Sequence, residues 1–386
     1  MNEQRPLADP PKSEGIRLPS LQELSREQID ILDAALGSRL LVTGPPGTGK
    51  TVMALHRAEK LRRASRASHI IVYNRVLQAY ISNALMSLRL PPGSASTYHS
   101  WASNWHRKTF SSGYPVLNNN EYDIDWMSIA KRMNTIPEPA AEYLFVDEGQ
   151  DLPRFFYSVL DLLQPKDLTV FADENQRINN NTNSTLRDIT EALFLEDDDI
   201  IHLTKNYRNT LPIAEVASRF YVQGIDTGIP ELPTRNGNRP EYRALGSLEG
   251  QGEFVARYAR NNPTVEIGVI ANRTAIQHQL YRIIKPQIGT IPLTMYVSGD
   301  ENHRDASALK IGLPGVKLIN DQSAKGTEFD TVFLIDVDRR MPRSPDESAM
   351  MMYVLCSRAR TSLYFLGRSQ GLPSTLAPAS DLIDLR

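Results

Sequence analysis

The segment GPPGTGKT, residues 44–51, restricts this chain more than any other stretch. It satisfies the spacing G-x-x-x-x-G-K-[ST], and it sits where that spacing has a physical meaning. The apolar run 40–43 reads as a buried strand leading in, and TVMALHRAEKL reads as a helix leading out. Between the two, Gly44, Pro45, Pro46, Gly47, Thr48 and Gly49 make a backbone curl whose N–H groups point inward at phosphate oxygens, and the helix N-terminus adds its positive dipole end. Lys50 is then expected to reach the β- and γ-phosphates of a nucleotide, and the Thr51 hydroxyl to ligate Mg²⁺. An acidic partner is needed at the end of a neighbouring buried strand, and YLFVDEGQD supplies it. Asp147 is expected to hold the metal, and Glu148 to polarise the attacking water and accept its proton.

Around that loop, short apolar runs alternate with helical patterns. Residues 40–43, 70–73, 143–146 and 168–172 read as buried strands, each followed by a loop and a helix, which is the rhythm of a parallel α/β sheet. The Asn-rich stretch 179–183 and the acidic cluster 196–199 mark the main boundary. Beyond it the runs 201–203, 266–271, 316–319, 331–335 and 363–366 repeat the rhythm. The expected organisation is therefore a polar, Pro-rich leader over 1–20, a first α/β lobe over 21–198 and a second over 199–386. That agrees with the two or three domains a chain of 386 residues accommodates. The three methionines 350–352, beside Tyr353, read as a core-facing turn.

Other function classes are excluded by composition. No run of about 18 apolar residues offers a membrane span, and the N-terminal stretch lacks the apolar core of a signal peptide, so a cytoplasmic location is expected. The single cysteine, Cys356, rules out a disulfide scaffold, and the seven histidines do not fall at metal-ligand spacing. A formal charge of −2 rules out binding a polyanion through bulk charge, so a nucleic-acid surface has to be a local basic path.

Further segments follow one another in a definite order: LSREQIDIL, then GPPGTGKT, VYNRVLQAYI, STYHSW, VDEGQD, FADENQRI, LTKNYRNT, SAKGTEFDTVFL and MMYVLCSRARTSLYF. This order resembles that of the UvrD/Rep-like superfamily I helicases over about residues 21–367. The resemblance implies two RecA-like P-loop lobes, with parallel sheets flanked by helices, that clamp ATP and Mg²⁺ between them. It implies that Gln28 reads the adenine edge, that Tyr207 stacks on the base and that Glu328 lies near the ribose. Gln176 would sense the γ-phosphate, and Arg208 and Arg358 would reach it from the second lobe. Asn74, Tyr98, His99 and Trp101, in segments similar to motifs Ia and Ib, would contact the strand. For the aromatic cluster, packing onto the core is the alternative.

The sequence departs from that family pattern in two places. The run Arg177-Ile-Asn-Asn-Asn-Thr-Asn-Ser lacks the stacking tryptophan, a contact of the kind worth about 1–3 kcal/mol per base. The large insertions expected between Trp105 and Tyr143 and after Tyr207 are missing or absorbed by the second lobe. The activity implied is nucleic-acid-dependent ATP hydrolysis that drives translocation along, or unwinding of, a single strand, DNA ahead of RNA, with no membrane involved. The alternative is an ATP-driven switch or sensor that serves a protein partner such as a nuclease, as small UvrD-like proteins do in bacterial anti-phage defence.

Overall fold

The computed structural model describes residues 19, 21–91, 93–133, 143–173, 183–222, 231–340 and 344–386. Among these, two sheets form, and every strand pair in them is parallel. The first contains β1 (Arg39–Thr43), β2 (Ser68–Val72), β3 (Ala95–Thr97), β4 (Tyr143–Val146), β5 (Asp167–Ala172) and β6 (Ile200–His202), in the order β3-β2-β4-β5-β1-β6. Its helices are α1 (Arg26–Asp33), α2 (Lys50–Arg63), α3 (Arg75–Ser87), α4 (Tyr98–Phe110), α5 (Trp126–Met133), α6 (Arg154–Leu163) and α7 (Leu186–Leu193). Strands buried on both faces need unbroken apolar runs, and Leu40, Leu41 and Val42 of β1 and Leu168, Val170 and Phe171 of β5 are all buried.

After α8 (Leu211–Ser218) the chain builds the second sheet from β7 (Glu241–Ala244), β8 (Glu266–Ala271), β9 (Leu293–Met295), β10 (Gly315–Asn320), β11 (Phe329–Leu334), β12 (Ala359–Gly367) and β13 (Asp384–Leu385), in the order β13-β7-β12-β11-β8-β10-β9. Helices α9 (Leu248–Asn261), α10 (Thr274–Ile284) and α11 (Pro345–Cys356) pack with it. The two halves share one apolar cluster: Val76, Leu77, Tyr80 and Ile81 of α3 join Ala306, Leu309, Phe329 and Val332. Each such side chain buried contributes about 1.5–3 kcal/mol, so the halves are held together by more than their linking segment.

Three sequence expectations change. The run 201–203 was expected to open the second lobe, yet β6 pairs with β1 in the first sheet, Leu41 opposite Ile200 and Thr43 opposite His202. Without it β1, which carries the phosphate loop, would be an unpaired edge. The acidic cluster read as a boundary is a 3₁₀ turn, Asp197–Asp199, that delivers the chain to β6. The methionines 350–352 lie within α11, where every residue from Met350 to Cys356 is buried. A helix buried all round over its last two turns shows no amphipathic period there, so the three methionines did not read as helical. Finally, β3, β7, β9 and β13 are short and carry polar residues, so they leave no apolar run. Apart from Pro19, the expected leader lies outside the described residues. Among them no helix is long and apolar enough to cross a membrane.

Candidate nucleotide-binding cleft

The order β4-β5-β1 brings three strand ends side by side, and each ends in a polar residue of the site. Thr43 leads into the phosphate loop, Val146 into Asp147 and Glu148, and Ala172 into Asp173. The loop makes its curl with Gly47 at φ 86° and Gly49 at φ 90°. Space is as decisive as dihedral there. A Cβ on Gly47 would lie 2.6 Å from Asn206 Oδ1, and one on Gly49 would lie 2.7 Å from Gln28 Nε2. Lys50 begins α2 and folds back over the curl, where its ammonium donates to the carbonyls of Gly44 and Pro45 and lies 3.8 Å from Asp173 Oδ2. The Thr51 hydroxyl donates to Asp147 Oδ2 at 2.7 Å.

Gln28 is fixed at the entrance by a capping box on α1. Its backbone N–H donates to Ser25 Oγ at 3.2 Å, its Oε1 accepts from Ser25 N at 3.0 Å, and its Nε2 donates to the Thr48 carbonyl at 3.0 Å. Glu148 takes a left-handed backbone conformation, φ 56°, which aims its side chain back at the loop. Gln150, fully buried, donates to Glu148 Oε2 at 2.6 Å and accepts from Asp173 N at 2.9 Å, so one amide ties two strand ends together.

The opposite wall comes from later in the sequence. Arg208, on the segment that leaves β6, donates through Nε to Glu328 Oε2 at 2.6 Å, and its backbone is anchored by Asn206 Oδ1 at 2.9 Å. The Tyr207 N–H donates to the Gly47 carbonyl at 2.9 Å, while its ring stays 41% exposed with Lys205 over it at 5.4 Å. Arg358 is buried and donates to the carbonyls of Val354 and Thr327, at 2.9 and 3.2 Å. Lys325 reaches across to Asp151 Oδ1 at 2.6 Å, an ion pair between the two halves with both side chains only 2% exposed. The cleft so enclosed has a volume of about 390 Å³. Gln28, Pro46, Gly47, Gly49, Lys50, Thr51, Glu148, Tyr207, Arg208, Glu328 and Arg358 all line it.

Burial and crowding set the charges. Burial, with Glu148 alongside, pushes the Asp147 carboxyl up to about 7. Burial also opposes ionisation of Glu148, but Lys325, Lys50 and Arg358 outweigh it and hold that carboxyl below its usual value. The pair is thus divided into a carboxylate kept charged and a neighbour that ionises easily only when a cation joins it. Burial lowers the Lys50 ammonium against the pull of Asp173, Glu148 and Asp147. Burial and then Arg208 bring the Arg358 guanidinium down to about 10. Lys50 and Arg358 are therefore under-neutralised, which suits them to a polyanionic ligand.

Not every expected residue reaches a functional surface. Tyr98 and Trp101 are core residues, 4% and 5% exposed. The Trp126 indole donates to the Tyr98 hydroxyl, and Trp101 stacks on Trp105 at 5.6 Å. This corrects the expectation that they contact a strand: α4 has one apolar face, and the bulkiest rings on it are the ones the core takes. His99 stays half-exposed, with Nε2 3.0 Å from the Tyr122 carbonyl, and Asn74 caps α3 while donating to the Lys325 carbonyl at 3.3 Å. The aromatic rings that remain exposed near them are Tyr73 and Tyr122. Gln176 lies outside the described residues. The sequence reading had no role for Gln150, Asp151, Lys325 or Arg360, although each lies in a segment quoted for the resemblance. The spacing of VDEGQD, with two more polar residues after the acidic pair at a strand end, was the available signal.

Comparison with known families decides what these walls belong to. Residues 28–182 match the family described as an AAA domain, and residues 316–366 match the UvrD-like helicase C-terminal domain. Together the two matches make the chain similar to the UvrD-like helicases. The first match carries the phosphate loop and the Asp147–Glu148 pair, and the second carries Lys325, Glu328, Arg358 and Arg360. Tyr207 and Arg208 fall between them. A solved structure, the C-terminal domain of a possible DNA helicase from Lactobacillus plantarum WCFS1, is similar over 46% of this chain and 98% of its own, at 21% identity and a TM-score of 0.35. No curated protein matches the chain. The two matched domains imply nucleotide binding, and the α/β fold of two parallel sheets agrees with that.

Proposed function

We propose that the chain is a helicase of the UvrD-like kind, which hydrolyses ATP with Mg²⁺ in the cleft and converts the cycle into movement along single-stranded DNA. What supports the reading is the convergence on one cleft of Lys50, Thr51 and Glu148 from the first half with Arg208 and Arg358 from the later chain. Thr51 and Asp147 fit Mg²⁺, because a hydroxyl and a carboxylate oxygen 2.7 Å apart are the hard donors that ion takes next to phosphate oxygens. Bound there, Mg²⁺ supplies neutralisation of the β- and γ-phosphate charge. Lys50 exchanges the Gly44 and Pro45 carbonyls for phosphate oxygens. Glu148, already charged, accepts a proton from water as the water oxygen attacks the γ-phosphorus. The bond from that phosphorus to the β–γ bridging oxygen breaks, and ADP and phosphate result. Arg208 and Arg358 stabilise the charge that spreads over the transferring group. Gln28 and Tyr207 hold the adenine, and Glu328 turns to the ribose once Arg208 leaves it.

Because the arginines have a γ-phosphate to meet only in the ATP state, Arg208 exchanging Glu328 for it and Arg358 gaining it over main-chain carbonyls, ATP favours closure of the two lobes and ADP favours opening. A strand lying past Asn74, His99, Tyr73 and Tyr122 would feel that motion as a step. The burial of Tyr98 and Trp101 favours a second reading, in which the same cycle switches a protein partner and the strand grip is supplied by that partner.

An ATPase assay with single-stranded DNA, duplex DNA and RNA side by side tests the proposal. Single-stranded DNA should raise turnover most, and Lys50→Ala and Glu148→Gln should each remove about two to four orders of magnitude of it. Turnover that is unchanged by every nucleic acid across a range of salt would overturn the translocase reading and leave the switch.

A further inference from the structure

Outside the residues that line the cleft, the second sheet's edge strand β9 is followed by a tight turn. Its backbone closes on itself: Val297 N donates to the His303 carbonyl at 2.9 Å, His303 N to the Asp300 carbonyl at 3.0 Å, and Asp300 N to the Val297 carbonyl at 3.1 Å. The turn sets two side chains against α10. Asp300 Oδ1 accepts from Asn302 N at 2.8 Å, which leaves Oδ2 aimed at His278 Nε2, 3.2 Å away. His303 completes the group: one ligand atom each from His278, Asp300 and His303 lie within 4.8 Å of one another. The His278 and His303 rings are inclined at 60° with centroids 5.9 Å apart, and Tyr281, one helical turn after His278, covers the His303 ring at 5.5 Å.

The geometry points to a binding site for a divalent transition metal of the Zn²⁺ class, held by His278, Asp300 and His303. Metal–nitrogen and metal–oxygen bonds of about 2.0–2.2 Å at a tetrahedral angle set ligand atoms about 3.4 Å apart, close to the 3.2 Å between His278 and Asp300. Two imidazoles and one carboxylate select zinc, copper, nickel or cobalt over the all-oxygen shells that Mg²⁺ and Ca²⁺ require. The side chains of His278 and Asp300 are 32% and 20% exposed, so an ion has a path in and a fourth position is left to water. Each ligand is also held in place: His278 by a helix whose buried face packs through Leu280 and Ile284, Asp300 by Asn302, and His303 by the turn. The seven histidines looked unsuited to a metal because 25 residues separate the two that matter; the turn after β9 removes that distance.

The clasp has a mechanical consequence. The turn runs directly into Ala306–Leu309, whose Ala306 and Leu309 pack in the apolar cluster shared with α3 of the first half. A metal that pins the turn to α10 therefore steadies the piece of the second half that touches the first. This inference does not depend on the nucleotide reading.

The test is equilibrium dialysis of the untagged full chain against Zn²⁺ in excess Mg²⁺, which fills the oxygen-donor site, with Co²⁺ substitution read by visible ligand-field absorption. One equivalent of Zn²⁺ should be retained, Co²⁺ should give the intense bands of a four-coordinate site, and the melting temperature should rise with metal. His278→Ala and His303→Ala should each lose the equivalent, the bands and the thermal shift while keeping a native circular dichroism spectrum, and Asp300→Asn should weaken binding. No bound equivalent, or one that persists in the double His278→Ala/His303→Ala variant, would overturn the site and leave His278 and Asp300 as a simple hydrogen-bonded pair.

Discussion

The two walls of the cleft carry charges of the same purpose but hold them differently. On the first wall Lys50, Thr51 and Asp147 bond to the loop and to one another, so a phosphate enters by replacing weak carbonyl contacts at groups already in place. On the second, Arg208 is held by a carboxylate, Glu328, at 2.6 Å, and Arg358 by main-chain carbonyls. The first wall is a preformed binding surface; the second has to exchange an internal partner for the nucleotide. On the proposed reading both halves change partners on binding nucleotide, and the second senses the γ-phosphate because Arg208 has to give up a carboxylate to meet it.

Removing the second wall should therefore hurt turnover far more than binding. Arg208→Ala is expected to lower the ATPase rate by about 10³–10⁵-fold, the range found when an arginine that stabilises phosphoryl transfer is lost. ADP affinity should change little, because ADP has nothing for Arg208 to meet. Single-turnover kinetics beside ADP titration separates the two effects. A variant within tenfold of the wild-type rate would mean that the second wall takes no part in the chemistry and that the two walls do not cooperate.

The walls differed just as much in what the sequence disclosed. The first was legible because its chemistry is local: residues 44–51 must be contiguous to curl round a phosphate, and Asp147 and Glu148 follow an unmistakable buried run. Arg208 and Arg358 were named through the family order alone, and nothing in their neighbourhoods said which anion would hold them. The Lys325–Asp151 and Arg208–Glu328 pairs span 174 and 120 residues, and such pairings exist only once the two sheets have met. Tyr98 and Trp101 failed for another reason. An aromatic cluster next to Arg107 and Lys108 has the same composition whether it faces a base or the core, and only the apolar face of α4 decides. The strand β6 was assigned to the wrong sheet because its partner β1 lies about 160 residues earlier.

Where the two halves lock, raising the pH should reveal the cost. Burial raises the Asp151 carboxyl to about 6 even with Lys325 beside it. Its folded value lies above the unfolded one, so the stability it contributes is fully present below about 4 and is lost as the pH rises through about 6. Two pH units correspond to at most about 3 kcal/mol. Asp151→Asn cannot ionise, so its melting temperature relative to wild type should climb between pH 4 and pH 6 and then level off. Parallel melting curves for the two proteins over that interval would show that Asp151 titrates normally and that the interlobe pair sits in a wetter place than its burial indicates.

The smallest effect is the most specific to the comparison. Glu328→Gln keeps the shape of the Arg208 partner but removes its charge, so the second wall becomes as free to accept a phosphate as the first. Both side chains keep some exposure, 17% and 22%, which limits the pair to about 0.5–1 kcal/mol. Discrimination between a non-hydrolysable ATP analogue and ADP should rise by about 2- to 5-fold, because only the triphosphate collects the released guanidinium. Loss of the ribose contact weakens both nucleotides alike and cancels in that ratio. Arg360, 3.5 Å from Glu328, is bound as well to Asp330 and Glu266, so it stays in place and does not fill the vacancy. An unchanged ratio in the variant would mean that Arg208 reaches the phosphate without leaving Glu328, and the second wall would then be as preformed as the first.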